Sequence, residues 1–363
     1  MNHLRLDISG DSSPFERMSA EFPDLIADET LLDEWLTRPR QELIDFIRSV
    51  ESPLVVLGAG GKMGPGLAVL AKRAAEAAGH PLEVIAASRF SDAAARTWLE
   101  ERGVRTEQAD ALRREDLARL PDTANLIYLI GIKFGTSSNP GLTWAINTLA
   151  PAAAMERWRG SRIVALSTGN VYPLAPVEKG GSREDDPLTP PGEYAHAALA
   201  RERIFDHFSR EHGTPVALMR LSYALDLRYG VMADIARKVA AGTPISLATG
   251  HFNQIWQGDA NEFILRALPL AESPATAWNL TSPRIQEVRE TALRLGTILG
   301  REPIFEGTES GTAFVSNTAR LTEKLGLPPT SQETMVRWVA DWVKKGGRSL
   351  GRPAHFEVRD GKF

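Results

Sequence analysis

The chain has 363 residues and not one cysteine. Disulfides, thiolate nucleophiles and cysteine-ligated zinc are thereby excluded, and a reducing compartment is the natural setting. No apolar run approaches the roughly 20 residues that a membrane-spanning helix requires. The opening stretch, Met1-Asn2-His3-Leu4-Arg5-Leu6-Asp7, lacks the apolar centre of a signal peptide, so a cytoplasmic protein is expected. Lysine and arginine form no cluster and the formal net charge is −4, which argues against a nucleic-acid partner. The seven histidines show no metal-ligand spacing and no His-Glu-x-x-His occurs, so no metal site is expected.

What is present is ordinary globular material, 43% apolar and 24% charged, enough for one large α/β domain or two lobes. Its most informative stretch is Leu54-Val55-Val56-Leu57-Gly58-Ala59-Gly60-Gly61-Lys62-Met63-Gly64. A short continuous apolar run reads as a buried parallel strand. The glycines that follow permit a sharp turn and a close backbone approach to a pyrophosphate at the start of a helix. Gly58, Gly60, Gly61, Lys62, Met63 and Gly64 are therefore the first cofactor-binding candidates, although the Gly58-x-x-Gly61-x-x-Gly64 spacing only overlaps the common dinucleotide fingerprint.

From residue 53 strands and helices alternate. Strands are expected at Leu54–Leu57, Leu82–Ala87, Asn125–Gly131, Arg162–Ser167 and Val216–Leu221, with helical stretches at 65–78, 91–102, 141–158 and 194–211. This implies a Rossmann-type, doubly wound parallel sheet over 53–222 whose ligand lies along the carboxyl ends of the strands. A smaller substrate lobe, interleaved with it, is expected over 223–345, with helices at 284–299, 317–325 and 331–345. Residues 1–52 form an N-terminal helical extension: Asp28 or Thr30 caps a helix carrying Leu31, Leu32, Trp35 and Leu36, and Leu43, Ile44, Phe46 and Ile47 follow at helical spacing. That pair is expected to clamp the outer face of the domain or to serve as a partner-binding arm. The tail 346–363 is polar and expected to wrap the surface.

Ser88-Arg89 follows the second strand. An acidic residue here bonds the adenosine ribose of NAD, whereas an arginine accommodates the 2′-phosphate of NADP. With Lys62 as a second cation in the turn, NADP(H) is preferred, NAD(H) being the alternative. Asp110 suits either the adenine amino group or the N-cap of a helix over Leu112–Leu120.

The fifth strand ends Ser167-Thr168-Gly169-Asn170-Val171-Tyr172, and an acidic, proline-containing loop leads to Gly192-Glu193-Tyr194 at the start of a helix. Together with the glycine spacing, this order resembles the extended short-chain dehydrogenase/reductase family, in its epimerase/dehydratase branch. Met219-Arg220-Leu221-Ser222-Tyr223, Gly242-Thr243-Pro244-Ile245 and Trp256-Gln257-Gly258-Asp259 are similar to later family segments, so the likeness runs over about 53–345.

The resemblance implies an NAD(P)-dependent oxidoreductase or epimerase acting on a hydroxyl or ketone of a sugar, nucleotide-sugar, or related polyol or acid. Thr168 would bind the reacting oxygen and Tyr194 would act as general acid/base. The lysine that in the family assists the tyrosine four residues on, and also holds the ribose hydroxyls of the cofactor, is replaced by Ala198. Bringing a phenol from a pKa near 10 to about 7 needs roughly 4 kcal/mol of electrostatic help. His196 faces away from Tyr194, and Arg201 shares its face two turns on, about 10 Å along the axis. Lys133, in Gly131-Ile132-Lys133-Phe134-Gly135, is the preferred substitute, and Gly131 joins the cofactor candidates. Matched segments make Tyr223, Arg228, Asn253, Trp256 and Gln257 the substrate-facing candidates. Related enzymes pair the helices corresponding to 141–158 and 194–211, implying a homodimer. The alternative from another class is a cofactor-binding sensor or scaffold that kept the fold after losing the lysine.

Overall fold

The structure is a computed structural model describing residues 22–133 and 138–361. Residues 1–21 of the expected N-terminal extension, together with Phe134 and Gly135, lie outside the described residues.

Strands β1 (Leu54–Leu57), β2 (Val84–Ser88), β3 (Arg105–Gln108), β4 (Asn125–Tyr128), β5 (Arg162–Thr168), β6 (Val216–Leu221) and β7 (Thr276–Leu280) form one sheet in the order β7-β6-β5-β4-β1-β2-β3. Every pairing is parallel. The change of direction between β1 and β4 opens a crevice at their carboxyl ends, the usual place for a dinucleotide. Successive strand residues feed opposite faces. Leu54, Val56, Val84, Ala86 and Ile127 pack with α2 (Gln41–Ile47), α3 (Gly64–Ala77) and α9 (Gln257–Arg266). Val55, Leu57, Ile85, Leu126 and Tyr128 pack beneath α6 (Pro140–Arg157) and α7 (Gly192–His212).

A second core joins α1 (Glu29–Leu36), α8 (Val231–Ala241), α10 (Val288–Leu299) and α12 (Gln332–Lys344). Asp28 caps α1 as expected, its Oδ1 accepting the Leu31 amide at 2.8 Å. The expected strand over Asn125–Gly131 ends at Tyr128, and Leu82–Ala87 shifts to Val84–Ser88. β3 and β7 were not among the expected strands. β3 reads Arg-Thr-Glu-Gln at a sheet edge, so no apolar run marks it.

Two expectations about the chain ends change. The helical pair α1–α2 does more than clamp an outer face: Glu29 and Asp33 reach the crevice, where they pair with Arg228. The tail is more than a surface wrap: residues 348–353 are exposed, but the segment after them is anchored. Ala354 and Phe356 are buried, and Arg359 donates to the carbonyls of Ala248 and Thr312, so residues 348–361 form a strap along the crevice. At its far end Gly361 lies backbone to backbone against Pro191 and Gly192, where a side chain on either glycine would collide with main-chain atoms. No helix of the described residues is long and apolar enough to cross a membrane.

Candidate active site

The turn after β1 is shaped by what it must avoid. A methyl at Gly60 would sit 2.7 Å from Ser88 Oγ, and one at Gly64 would sit 2.5 Å from the Ala59 backbone. Gly58, at φ +91°, abuts Ile130 of the neighbouring strand end. These contacts bring α3 hard onto the sheet and aim its N-terminus, begun at Met63 without a side-chain cap, into the crevice. A methyl at Gly61 would meet the Gly58 carbonyl oxygen at an ordinary 3.5 Å.

Two cavities meet at this turn, sharing Gly60, Gly61, Leu129, Gly131 and Ile132. The smaller, about 190 Å³, is lined by Gly58, Ser88, Arg89 and Asp110. The larger, about 830 Å³, runs past Lys62 and Met63 to Thr168, Tyr194 and the strap. A narrow adenosine side and a roomy reacting side fit an extended dinucleotide bound across β2, β1 and β4 with a substrate beyond it.

Lys62 is not in the smaller cavity with Arg89. Its ammonium donates to the Ala224 carbonyl at 2.8 Å and stands 4.2 Å from the centre of the Tyr229 ring, so it belongs to the larger cavity. Crowding by protein pushes this lysine down to about 7, with Asp226 opposing and Lys133 reinforcing the shift. Lys133 donates to the Ala354 carbonyl of the strap at 2.9 Å and is pushed down to about 8 by burial. Burial also holds the Tyr223 and Tyr229 hydroxyls well above the ordinary phenol range, which keeps both protonated as hydrogen-bond donors.

Thr168 ends β5 with its hydroxyl bonded to the Asn170 side chain at 3.2 Å, and it caps the following turn through the Asn170 amide. Tyr194, in the first turn of α7, lines the same cavity. Ala198 is buried among Val171 and Tyr172. Asp110 accepts the Leu112 amide in a local turn. The helix beyond it, α5 (Arg114–Arg119), starts three residues later than an Asp110 cap requires.

The substrate-facing candidates separate. Tyr223, Arg228 and Gln257 line the larger cavity. Arg228, however, is neutralised by Asp226 at 2.8 Å, Asp33 at 3.1 Å and Glu29 at 3.4 Å, which leaves it a structural clasp between the lobe and α1. Asn253 is fully buried and donates to the carbonyls of Ser282 and Ser316, and Trp256 packs edge-on against Trp338 at 5.2 Å. Neither borders the cavity. Trp256 stands at the N-cap of α9, whose own apolar residues pack in the first core, while the Trp256 side chain turns into the second. Tyr229, Asp33, Arg352 and Ala354 line the cavity and were not anticipated. Only Tyr229 carried a signal, lying beside Arg228 before a glycine.

The sequence pattern of the NAD dependent epimerase/dehydratase family matches residues 54–262, from β1 through α7 and most of α9. The chain belongs to that family. As an epimerase/dehydratase family member it is an enzyme of NAD-dependent type, and its departure at Ala198 is a variation within a shared frame. No curated protein sequence matches it significantly. Among solved structures, UDP-glucose 4-epimerase from Thermotoga maritima, crystallised with UDP-glucose, is 18% identical. The match covers 81% of this chain and 99% of that one, at a TM-score of 0.64. The Thermus thermophilus UDP-glucose 4-epimerase in complex with NAD is 19% identical over 80% and 98% of the two chains, at 0.61. A Streptomyces venezuelae dTDP-glucose 4,6-dehydratase with NAD bound is 17% identical over 81% and 97%, at 0.66. Such likeness speaks to the fold. Among the described residues no cluster of carboxylates and histidines is arranged to hold a metal.

Proposed function

We propose that this epimerase/dehydratase family member moves a hydride to and from a carbinol or ketone of a sugar, nucleotide-sugar, or related polyol or acid. The observation that carries the reading is that Thr168 and Tyr194, from two separate elements, line one cavity continuous with the glycine turn. A nicotinamide bound there would supply the hydride acceptor. Thr168 then receives the substrate oxygen and Tyr194 exchanges its proton. Lys62 and Lys133 offer positive charge to an anionic part of the substrate, such as the diphosphate of a nucleotide sugar or the carboxylate of an acid. The test is turnover: cofactor-loaded protein is offered UDP- and dTDP-hexoses, free polyols and uronic acids, followed by nicotinamide absorbance and product NMR. Turnover of at least one is expected. Tight cofactor binding with no turnover of any would favour the sensor, a reading supported by the apolar packing around Ala198.

The cofactor is NADP(H) in this reading, with NAD(H) bound more weakly. Arg89 is exposed at the mouth of the smaller cavity and makes no ion pair among the described residues. Arg89→Ala is expected to erode the preference for NADPH over NADH by about 1.5–3 kcal/mol, the worth of a hydrogen bond to a charged group. Nicotinamide fluorescence titration measures it, and equal affinities in the unmutated protein would overturn it.

The protein forms a homodimer through α6 in the same reading. Of the alanines on the two helices expected to pair, Ala150, Ala153, Ala154, Ala197 and Ala198 are buried within the protomer. An outward stripe of Leu142, Ala145, Leu149 and Ala152 remains, with Leu149 61% exposed. A second copy related by a two-fold axis would cover it. Leu149→Glu is expected to shift the light-scattering mass from dimer to monomer. A monomeric wild-type protein at micromolar concentration would dismiss the interface.

A further inference from the structure

Arg201 has no counterpart in the roles assigned so far. It is 5% exposed, and among the described residues no carboxylate pairs with it. An unpaired buried charge is costly, and native proteins rarely keep one without use. Its Nη1 donates to the Ile130 carbonyl at 3.0 Å and to Asn147 Oδ1 at 2.9 Å, which fixes the plane of the guanidinium. The Nε–H is buried without an acceptor, and no hydrogen bond engages Nη2 among the described residues. Those donors form one edge of a fork, the edge that grips two neighbouring oxygens.

The placement is as specific as the fork. Helical side chains lean toward the helix N-terminus, so a residue at 201 reaches back over the turn occupied by Ala198. The guanidinium arrives at the carboxyl end of β4, where a methyl on Gly131 would lie 2.3 Å from Nη1, and it lines the larger cavity with Ser167 and Thr168. A dinucleotide that crosses from β1 to β4 brings its second ribose to this edge of the sheet.

We propose that Arg201 performs the ribose-holding role that a lysine at position 198 would otherwise fill, its Nε–Nη2 edge receiving the adjacent hydroxyls of the nicotinamide-side ribose. The assignment rests on the nicotinamide-binding reading above. It also moves that role from Lys133, whose ammonium is engaged by the strap.

Calorimetric titration of the full chain with NAD⁺, ADP-ribose and ADP tests it without turnover. ADP lacks the second ribose, and ADP-ribose has it without the nicotinamide. In Arg201→Gln, NAD⁺ and ADP-ribose are expected to weaken at least about tenfold while ADP stays within about twofold. In Arg201→Lys, NAD⁺ affinity relative to wild type should fall as pH rises from about 7 to about 10, because a buried ammonium loses its proton and a guanidinium does not. If Arg201→Gln fails to melt cooperatively, the lysine variant decides, and a flat ratio overturns the proposal. Unchanged affinities in Arg201→Gln, or equal weakening of all three ligands, overturn it too. So does a selective loss of NAD⁺ and ADP-ribose in Lys133→Met alone. A wild-type chain that binds none of the three ligands removes the nicotinamide reading and this assignment together, whereas normal wild-type binding with an unaffected Arg201→Gln removes this assignment only.

Discussion

Tyr194→Phe should cut turnover by at least about 100-fold and leave cofactor affinity within about twofold. The substitution removes one oxygen from a side chain that is 8% exposed and leaves its ring, and therefore its packing at the start of α7, in place. General acid/base groups contribute 10²–10⁴-fold, which sets the lower bound. The loss should appear in kcat and kcat/KM together, since the proton moves only in the transition state. Arg201→Gln, by contrast, should act on cofactor affinity. Wild-type activity in Tyr194→Phe would show that the proton is handled elsewhere in the cavity, with Tyr223 and Tyr229 as the remaining phenols.

The largest effect on stability is expected at the ion pair behind the reacting side. Arg220 Nη2 and Glu202 Oε2 meet at 2.8 Å with side chains 5% and 4% exposed. Glu202 also accepts from Ser167 at 2.5 Å, while Arg220 donates to the Tyr172 hydroxyl at 2.7 Å and the Glu184 carbonyl at 2.9 Å. The pair thus ties β5, β6, α7 and the acidic loop together one residue away from Thr168. Glu202→Ala leaves a guanidinium buried without its carboxylate and should cost about 3–5 kcal/mol in urea unfolding. Replacing both partners with apolar residues of similar volume should recover most of that loss, because two desolvated charges are removed at once. A single-variant cost below about 1 kcal/mol would mean that water reaches the pair.

The sheet was legible because its central strands are buried on both faces and therefore spell apolar runs, Leu54–Leu57 and Val216–Leu221 most plainly. β3 escaped because an edge strand needs no such run. The glycine turn was legible from spacing, and the family resemblance picked out Thr168 and Tyr194, which both line the larger cavity. Arg228 and Lys62 carry charges whose partners are fixed only by folding. Asp33 lies 195 residues from Arg228 in sequence, and Ala224 lies 162 from Lys62. No local pattern announces such a pairing. Arg201 was misplaced by treating a residue as its Cα: two turns separate it from Tyr194 along the axis, but a long side chain leaning backward recovers much of that distance. The strap was hidden for the opposite reason, since a polar tail with single buried anchors such as Phe356 looks like solvent-exposed chain.

The contact of Gly361 with Gly192 makes the strap and the first turn of α7 a single cooperative unit, since neither backbone can shift far without the other. Linkage then works in both directions. A ligand that orders the turn carrying Tyr194 must tighten residues 354–361 by the same free energy, and whatever loosens that segment lowers the ligand's affinity by an equal amount. Residues 354–361 therefore act as a spring in series with Tyr194, so that their stiffness enters the binding constant of a site to which Gly361 contributes no side chain.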